Sequence, residues 1–290
     1  MKIYFLVLVA IAITFLSSCS SNDDASVENK PKLIVKLAVD PNQVRLGNDG
    51  SQTDIEAGNA GQNPVFNSIS AHYLELAPNA STFLGQGTIL YQAPETDTGG
   101  ATAIDFDQSN IVAPGETFLE IPLKDIQAGS YEWVRLSLSY QNYDVTFHFN
   151  DAPFTGTVAS FVGFNTYITD YTVKNEQVTV NDNKLQGYWG FETITGVQTG
   201  QAPEGATTVP NPLFNTSPIP QGSCVVTGSF DTNLVITGEE TEDIVVTLSL
   251  SINKSFEWID TNGNDKWDVN PGTEESIVDM GLRGLVPSYE

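Results

Sequence analysis

The chain has 290 residues, 40% of them apolar, with 36 acidic against 12 basic side chains and a formal net charge of −24. That anionic excess excludes nucleic acid and an anionic bilayer surface as electrostatic partners. It suits solubility outside the cell and makes divalent cations natural ligands, although an acidic surface selected by a saline habitat explains it equally and requires no site.

Lys2 gives the N-terminus a positive charge, and Ile3 to Leu16 is an apolar run of 14 residues interrupted only by Tyr4 and Thr14. It falls short of the ~20 residues that cross a bilayer as a helix, so residues 1–18 read as a signal peptide. Cys19 follows directly, and Ser20 to Asp24 is polar and acidic. Residues 19–31 show no apolar period and read as a flexible acidic tether.

The segment Leu16-Ser17-Ser18-Cys19 resembles the lipobox of bacterial lipoproteins. That resemblance implies cleavage before Cys19 and acylation of its thiol. The polar and acidic residues after it resemble the export tag of surface lipoproteins in Bacteroidota, which implies anchoring in outer-membrane lipid, facing the cell exterior. Buried acyl chains, at ~0.8 kcal/mol per CH₂, hold a protein there without a transmembrane helix. The mature chain then has 11 basic against 36 acidic residues, a net of −25.

Residues 32–290 form the body, long enough for a substantial core in one or two units. Leu33, Val35, Leu37 and Val39 fall on one face of a period-two segment bracketed by Lys32 and Pro41, which predicts the first strand. Further strands are predicted at Ala71–Leu76, Thr88–Tyr91 and Phe118–Leu123. In Tyr131–Tyr140 the even residues Val134, Leu136, Leu138 and Tyr140 share a face, opposite Trp133, Arg135, Ser137 and Ser139. From Tyr143 the odd residues take over, with Val145, Phe147 and Phe149 opposite Asp144, Thr146 and His148. The link Gln141-Asn142 predicts a hairpin between the two runs. The stretch from Ser68 to Phe149 resembles the strand-turn-strand rhythm of MbnP-like β-sandwich domains, which implies architecture only.

Later strands are predicted at Val158–Val162, Tyr167–Val173, Gln177–Val180, Gly187–Thr193, Ser223–Phe230, Asp243–Ile252 and Ser255–Trp258. No segment of helical length has an apolar stripe with caps. The fold class is therefore all-β, an antiparallel β-sandwich of one or two packed units with few or no helices, and a possible subdivision near 151–155. Gly200 to Gly222, rich in Pro, Gly and Thr, reads as a surface excursion.

The strongest chemical signal is Phe256 to Glu275. Asp260, Asn262, Asn264 and Asp268 occupy positions one, three, five and nine of an oxygen-ligand loop, and Lys266 can offer its carbonyl at seven. Calcium takes six to eight such oxygens in flexible geometry. The stretch resembles EF-hand-like loops and the calcium loops of B repeats in cell-wall adhesins, which implies a structural Ca²⁺. Two departures stand out: position six is Asp265 instead of glycine, and position twelve is Pro271 instead of an acid. Glu274 or Glu275 is placed to reach back. The metal-free alternative is an Asn-Gly turn between two strands.

On Tyr188–Thr193, Trp189 and Phe191 share one face and Tyr188 takes the other. Such a pair is either core or a sugar-binding platform. A surface lipoprotein serving polysaccharide uptake would have this address and fold class. His72 and His148 each lack a second histidine or cysteine nearby in sequence, and His148 is expected to be solvated. Cys224 lies on a strand and reads as a buried, inert thiol. No nucleophile elbow, zincin motif or phosphate-binding glycine loop is present, so the chain reads as non-enzymatic. A glycosidase carboxylate pair is recognised only by its separation in space. The expectation is a lipid-anchored surface protein with a binding or structural role, a glycan or surface protein being its partner.

Overall fold

The computed structural model describes residues 30–46, 51–202, 223–280 and 282–290. Cys19, the signal peptide, most of the tether and most of the Gly200–Gly222 excursion lie outside the described residues. The first strands in the chain are β1 (Lys32–Asp40), β2 (Asn59–Gln62), β3 (Val65–Ala77) and β4 (Thr88–Gln92). Shorter ones follow: β5 (Glu95–Thr96), β6 (Ala103–Asp105), β7 (Ile111–Val112) and β8 (Thr117–Pro122). Then come β9 (Gly129–Phe149), β10 (Ala152–Phe161), β11 (Asn165–Thr172), β12 (Gln177–Leu185), β13 (Tyr188–Thr193) and β14 (Gly196–Gln201). The last are β15 (Cys224–Ile236), β16 (Ile244–Ser251), β17 (Phe256–Ile259), β18 (Ile277–Met280) and β19 (Arg283–Tyr289). The described helices are two single 3-10 turns, Phe106–Gln108 and Leu123–Asp125.

The fold is all-β and sandwich-like. An eight-stranded sheet runs β14-β13-β10-β9-β3-β4, with β15 and β7 paired off that path. On one face it packs against the sheet β19-β16-β1-β8. Leu33, Val35 and Leu37 of β1 share one buried core with Leu136, Leu138 and Val145 of β9, as their alternation predicts. On the other face β11 brings Ile168 and Tyr171 against Tyr140, Phe161 and Tyr188. Most neighbours are antiparallel, but β1 pairs β16 and β11 pairs β6 in parallel.

The hairpin expected at Gln141-Asn142 is absent: both runs belong to β9, a single strand of 21 residues. The partner β3 advances one residue, Ser70 to Ala71, while β9 advances two, Tyr140 to Leu138. The extra residue on β9 is a bulge. A bulge shifts the side-chain phase by one position, as a turn would, so the core set changes from Leu136 and Leu138 to Tyr143 and Val145 within one strand. Tyr140 consequently points to the opposite face and packs with Phe161. The true turn comes at Asn150-Asp151, which adopt φ of 51° and 61° between Phe149 and Ala152. Asn and Asp tolerate that left-handed conformation better than other non-glycine residues, and two-residue hairpins need it. Residues 151–155 therefore span this turn and the start of β10.

Candidate functional site

The hairpin β13–β14 extends the large sheet sideways beyond β10. Trp189 pairs with Ser160 on β10 and Gly200 on β14, while Phe191 pairs with Val158 and Gln198. Alternation sends both rings to one face and Tyr188 to the other, as expected. Two glycines seat these rings. A Cβ on Gly200 would run into the Trp189 indole, and one on Gly156 would run into Phe191. The aromatic side chains thus lie down on bare backbone.

Around them is a groove of about 910 Å³, within the usual range for small-ligand sites. Phe191 contacts Trp267 at 5.7 Å and Phe147 edge-on at 5.8 Å between ring centroids, and Phe147 stacks with Phe154 at 5.7 Å. Phe149, Ile277 and Met280 extend the apolar lining. Thr193, Thr195, Gln198, Gln201, Glu274 and Asp279 supply its polar groups. Nothing local in the sequence marks Phe147, Phe154 and Trp267 as groove residues. The Asn150-Asp151 turn was the available signal, because it places Phe154 directly across from Phe147.

The far wall belongs to the 260–276 loop between β17 and β18, which pair antiparallel. His148 N–H donates to the Trp267 carbonyl at 2.8 Å and Val269 N–H to the His148 carbonyl at 3.0 Å, docking the loop on the end of β9. His148 is accordingly half-buried, not solvated as expected. The Trp267 indole N–H donates to the Glu275 carbonyl at 3.2 Å.

Within the loop, Asp260 accepts N–H groups from Gly263, Asn264 and Asp265. The side-chain amides of Asn262 and Asn264 both donate to Asp268 Oδ2, each at 2.9 Å. These two bonds hold the Asp268 carboxyl below its ordinary pKa, against the opposing effect of burial. Asp265, at the sixth position of the loop, adopts φ of 58°. Glu275 turns back to accept from Thr261 N–H at 2.8 Å and Asp268 N–H at 3.0 Å. Glu274 instead accepts from Gly272 N–H and faces the groove. Lys266 is partly exposed, and its N–H donates to Asn264 Oδ1. Among the described residues no three His, Cys, Asp or Glu side chains group closely enough to hold a metal ion.

Charge compensation differs from that of other buried acids. Glu257 is paired with Arg45 and accepts from Asn59, and Glu75 lies 3.7 Å from Arg135. Asp268 and Glu275, each 5% exposed, make no ion pair to a basic side chain among the described residues. Glu192 is also held by N–H groups alone, but singly.

His72 is fully buried, with Nε2 2.9 Å from Glu95, and does not approach His148 in any described contact. Cys224 is half-buried against the core rather than fully enclosed. No described helix is long and apolar enough to cross a membrane. Comparison with protein-family models, with characterised proteins and with solved structures found no match.

Proposed function

We propose that this chain is a non-catalytic carbohydrate-binding protein, anchored by acylated Cys19 to the outer face of a bacterial outer membrane. The observation that carries the reading is the groove, in which Trp189 and Phe191 lie on glycine backbone beside a polar rim. Flat aromatic rings receive the C–H face of a sugar, while Gln198, Gln201, Thr193 and Thr195 have the donors and acceptors that hydroxyl groups need. The lipobox and acidic tether supply the address, which suits capture of polysaccharide for a neighbouring transporter.

Electrophoresis of the protein through gels containing dissolved polysaccharides tests this. Retardation by at least one polysaccharide, lost in Trp189→Ala, is expected; free migration through every gel rejects the reading. Glycoside hydrolysis is the competing function, because Glu274 and Asp279 line the same groove. Appearance of new reducing ends on incubation would favour it.

The 260–275 loop is proposed as a structural calcium clip. Its support is the pair of buried carboxylates, Asp268 and Glu275, held by N–H donors with no direct ion pair to a basic side chain among the described residues. Buried charges are ordinarily paired or bound to metal. Asp260, Asn262, Asn264, the Lys266 carbonyl and Asp268 would hold the ion, with Glu275 as the acid that reaches back.

A further inference from the structure

Resting on the carbohydrate reading of the groove, we propose that the site selects glycans whose sugars carry a methyl group, either on a deoxy carbon or at the end of an acetyl substituent, over fully hydroxylated ones. The bottom of the groove is almost wholly carbon. Its most enclosed lining residues are Val158, Trp267 and Phe147, at 2%, 6% and 9% exposure, with Phe154 and Phe191 against Phe147. The one nitrogen in these five side chains, the Trp267 indole N–H, is turned away to the Glu275 carbonyl at 3.2 Å. The backbone beneath is equally committed. Val158 pairs with Tyr143 of β9 on one side and Phe191 of β13 on the other, so the N–H and C=O groups of β10 are occupied by two ladders.

The polar lining is concentrated on one side. Thr193, Thr195, Gln198 and Gln201 all belong to the β13–β14 hairpin, whose turn leaves Ile194 87% exposed. On the opposite wall Glu274 is exposed and accepts the Gly272 N–H, and Asp279 already interacts within the protein. A sugar resting on Trp189 and Phe191 therefore meets two kinds of surroundings. Hydroxyls along the hairpin edge find Gln198, which stands across from Phe191 on β14. A hydroxyl directed at the bottom gives up its water and finds no free donor or acceptor, so its desolvation opposes binding. A methyl in the same place leaves water for an apolar surface and gains dispersion contacts, both of which favour binding. Loss of one hydroxyl thus tightens binding, the reverse of a site that reads that hydroxyl by hydrogen bonding.

Calorimetric titration of the full-length protein in phospholipid nanodiscs, with matched pairs of ligands, tests the proposal. Methyl α-L-fucoside is set against methyl α-L-galactoside, and methyl α-L-rhamnoside against methyl α-L-mannoside, each pair differing by one hydroxyl. An O-acetylated glucomannan is set against the same polymer after alkaline deacetylation, which separates acetyl from deoxy recognition. In at least one pair the methyl-bearing member is expected to bind about tenfold or more tighter. Val158→Thr keeps the branched shape and puts a hydroxyl at the bottom of the groove, so that ratio should fall by about threefold or more. A urea midpoint shows whether this variant is folded; if it is not, Phe154→Tyr at a half-buried lining residue makes the same test. Equal affinity within every pair, or no binding by any member while polysaccharide gels still retard the protein, would overturn the methyl preference and leave the carbohydrate reading standing. An unchanged ratio in the folded variant would overturn the role given to the bottom of the groove. Absence of binding in both titrations and gels would reject both readings, and binding of decanoate in that case would assign the groove to aliphatic chains.

Discussion

Tyr188 and Trp189 are neighbours on β13, yet they belong to opposite worlds. Tyr188 points to the side covered by β11, where Tyr140, Phe161 and Tyr171 close an aromatic cluster with Phe106 against it. Trp189 and Phe191 point to the side where the covering loop stands back and a groove remains. Glycines serve both faces differently. Gly190 makes room for Tyr171 inside the closed cluster, whereas Gly156 and Gly200 make room for rings that line open space. A single strand thus has one face committed to stability and one available for recognition, and the distinction lies in what covers each face.

The largest expected effect tests the closed face. Phe161 is 1% exposed and contacts Phe106, Tyr140, Tyr171 and Tyr188. Phe161→Ala should cost about 3–5 kcal/mol in urea unfolding and leave glycan affinity of the folded fraction unchanged. Next comes a pair of glycine substitutions. Gly190→Ala pushes against the enclosed Tyr171 and should cost about 1–3 kcal/mol. Gly200→Ala pushes against Trp189, which has space to swing, so it should reduce affinity with a smaller loss of stability. Equal stability losses at both positions would erase the contrast between the faces.

Calcium should have a smaller effect, since Trp267 joins the groove to the loop. With a Kd of ~0.1 mM, ~1 mM calcium adds ~1.4 kcal/mol. That corresponds to roughly 2–4 °C in a melting experiment. Magnesium should not substitute, and Asp268→Ala should abolish the shift; identical melting in chelator and calcium would reduce the loop to a turn.

The smallest effect concerns Glu192, on the closed side of β13. Burial raises its pKa, but the N–H groups of Asn175, Glu176 and Lys174 outweigh burial and hold it below the ordinary glutamate value. Its folded pKa is depressed, so its contribution is present above the unfolded value and lost as pH falls through the folded one. Stability should fall more gently below pH ~4 in Glu192→Gln than in the parent, by unfolding at fixed temperature.

Much of the fold was legible because alternation is a local signal. Leu33, Val35 and Leu37 announced β1, and Trp189 and Phe191 announced their shared face. The Tyr140 region was not legible, because a bulge and a tight turn both shift the alternation by one residue. Only the pairing with Ser70 and Ala71 separates them. β14 escaped notice because Gly196–Gln201 has Val197 as its one large apolar residue. The groove was half legible: Trp189 stood out, whereas Phe147 and Trp267 meet through strand pairing and loop docking that join distant parts of the chain. The loop residues were visible as a motif, but Glu275 rather than Glu274 as the returning acid needed three dimensions.

The most direct test of the groove as a recognition site is calorimetric titration of a neutral oligosaccharide, from the polymer that retards the protein, into the parent and Trp189→Ala. The account predicts binding by the parent, a loss of at least about tenfold in the variant, corresponding to ~1.4 kcal/mol, and nearly equal urea midpoints. Equal affinity in the two proteins would contradict it.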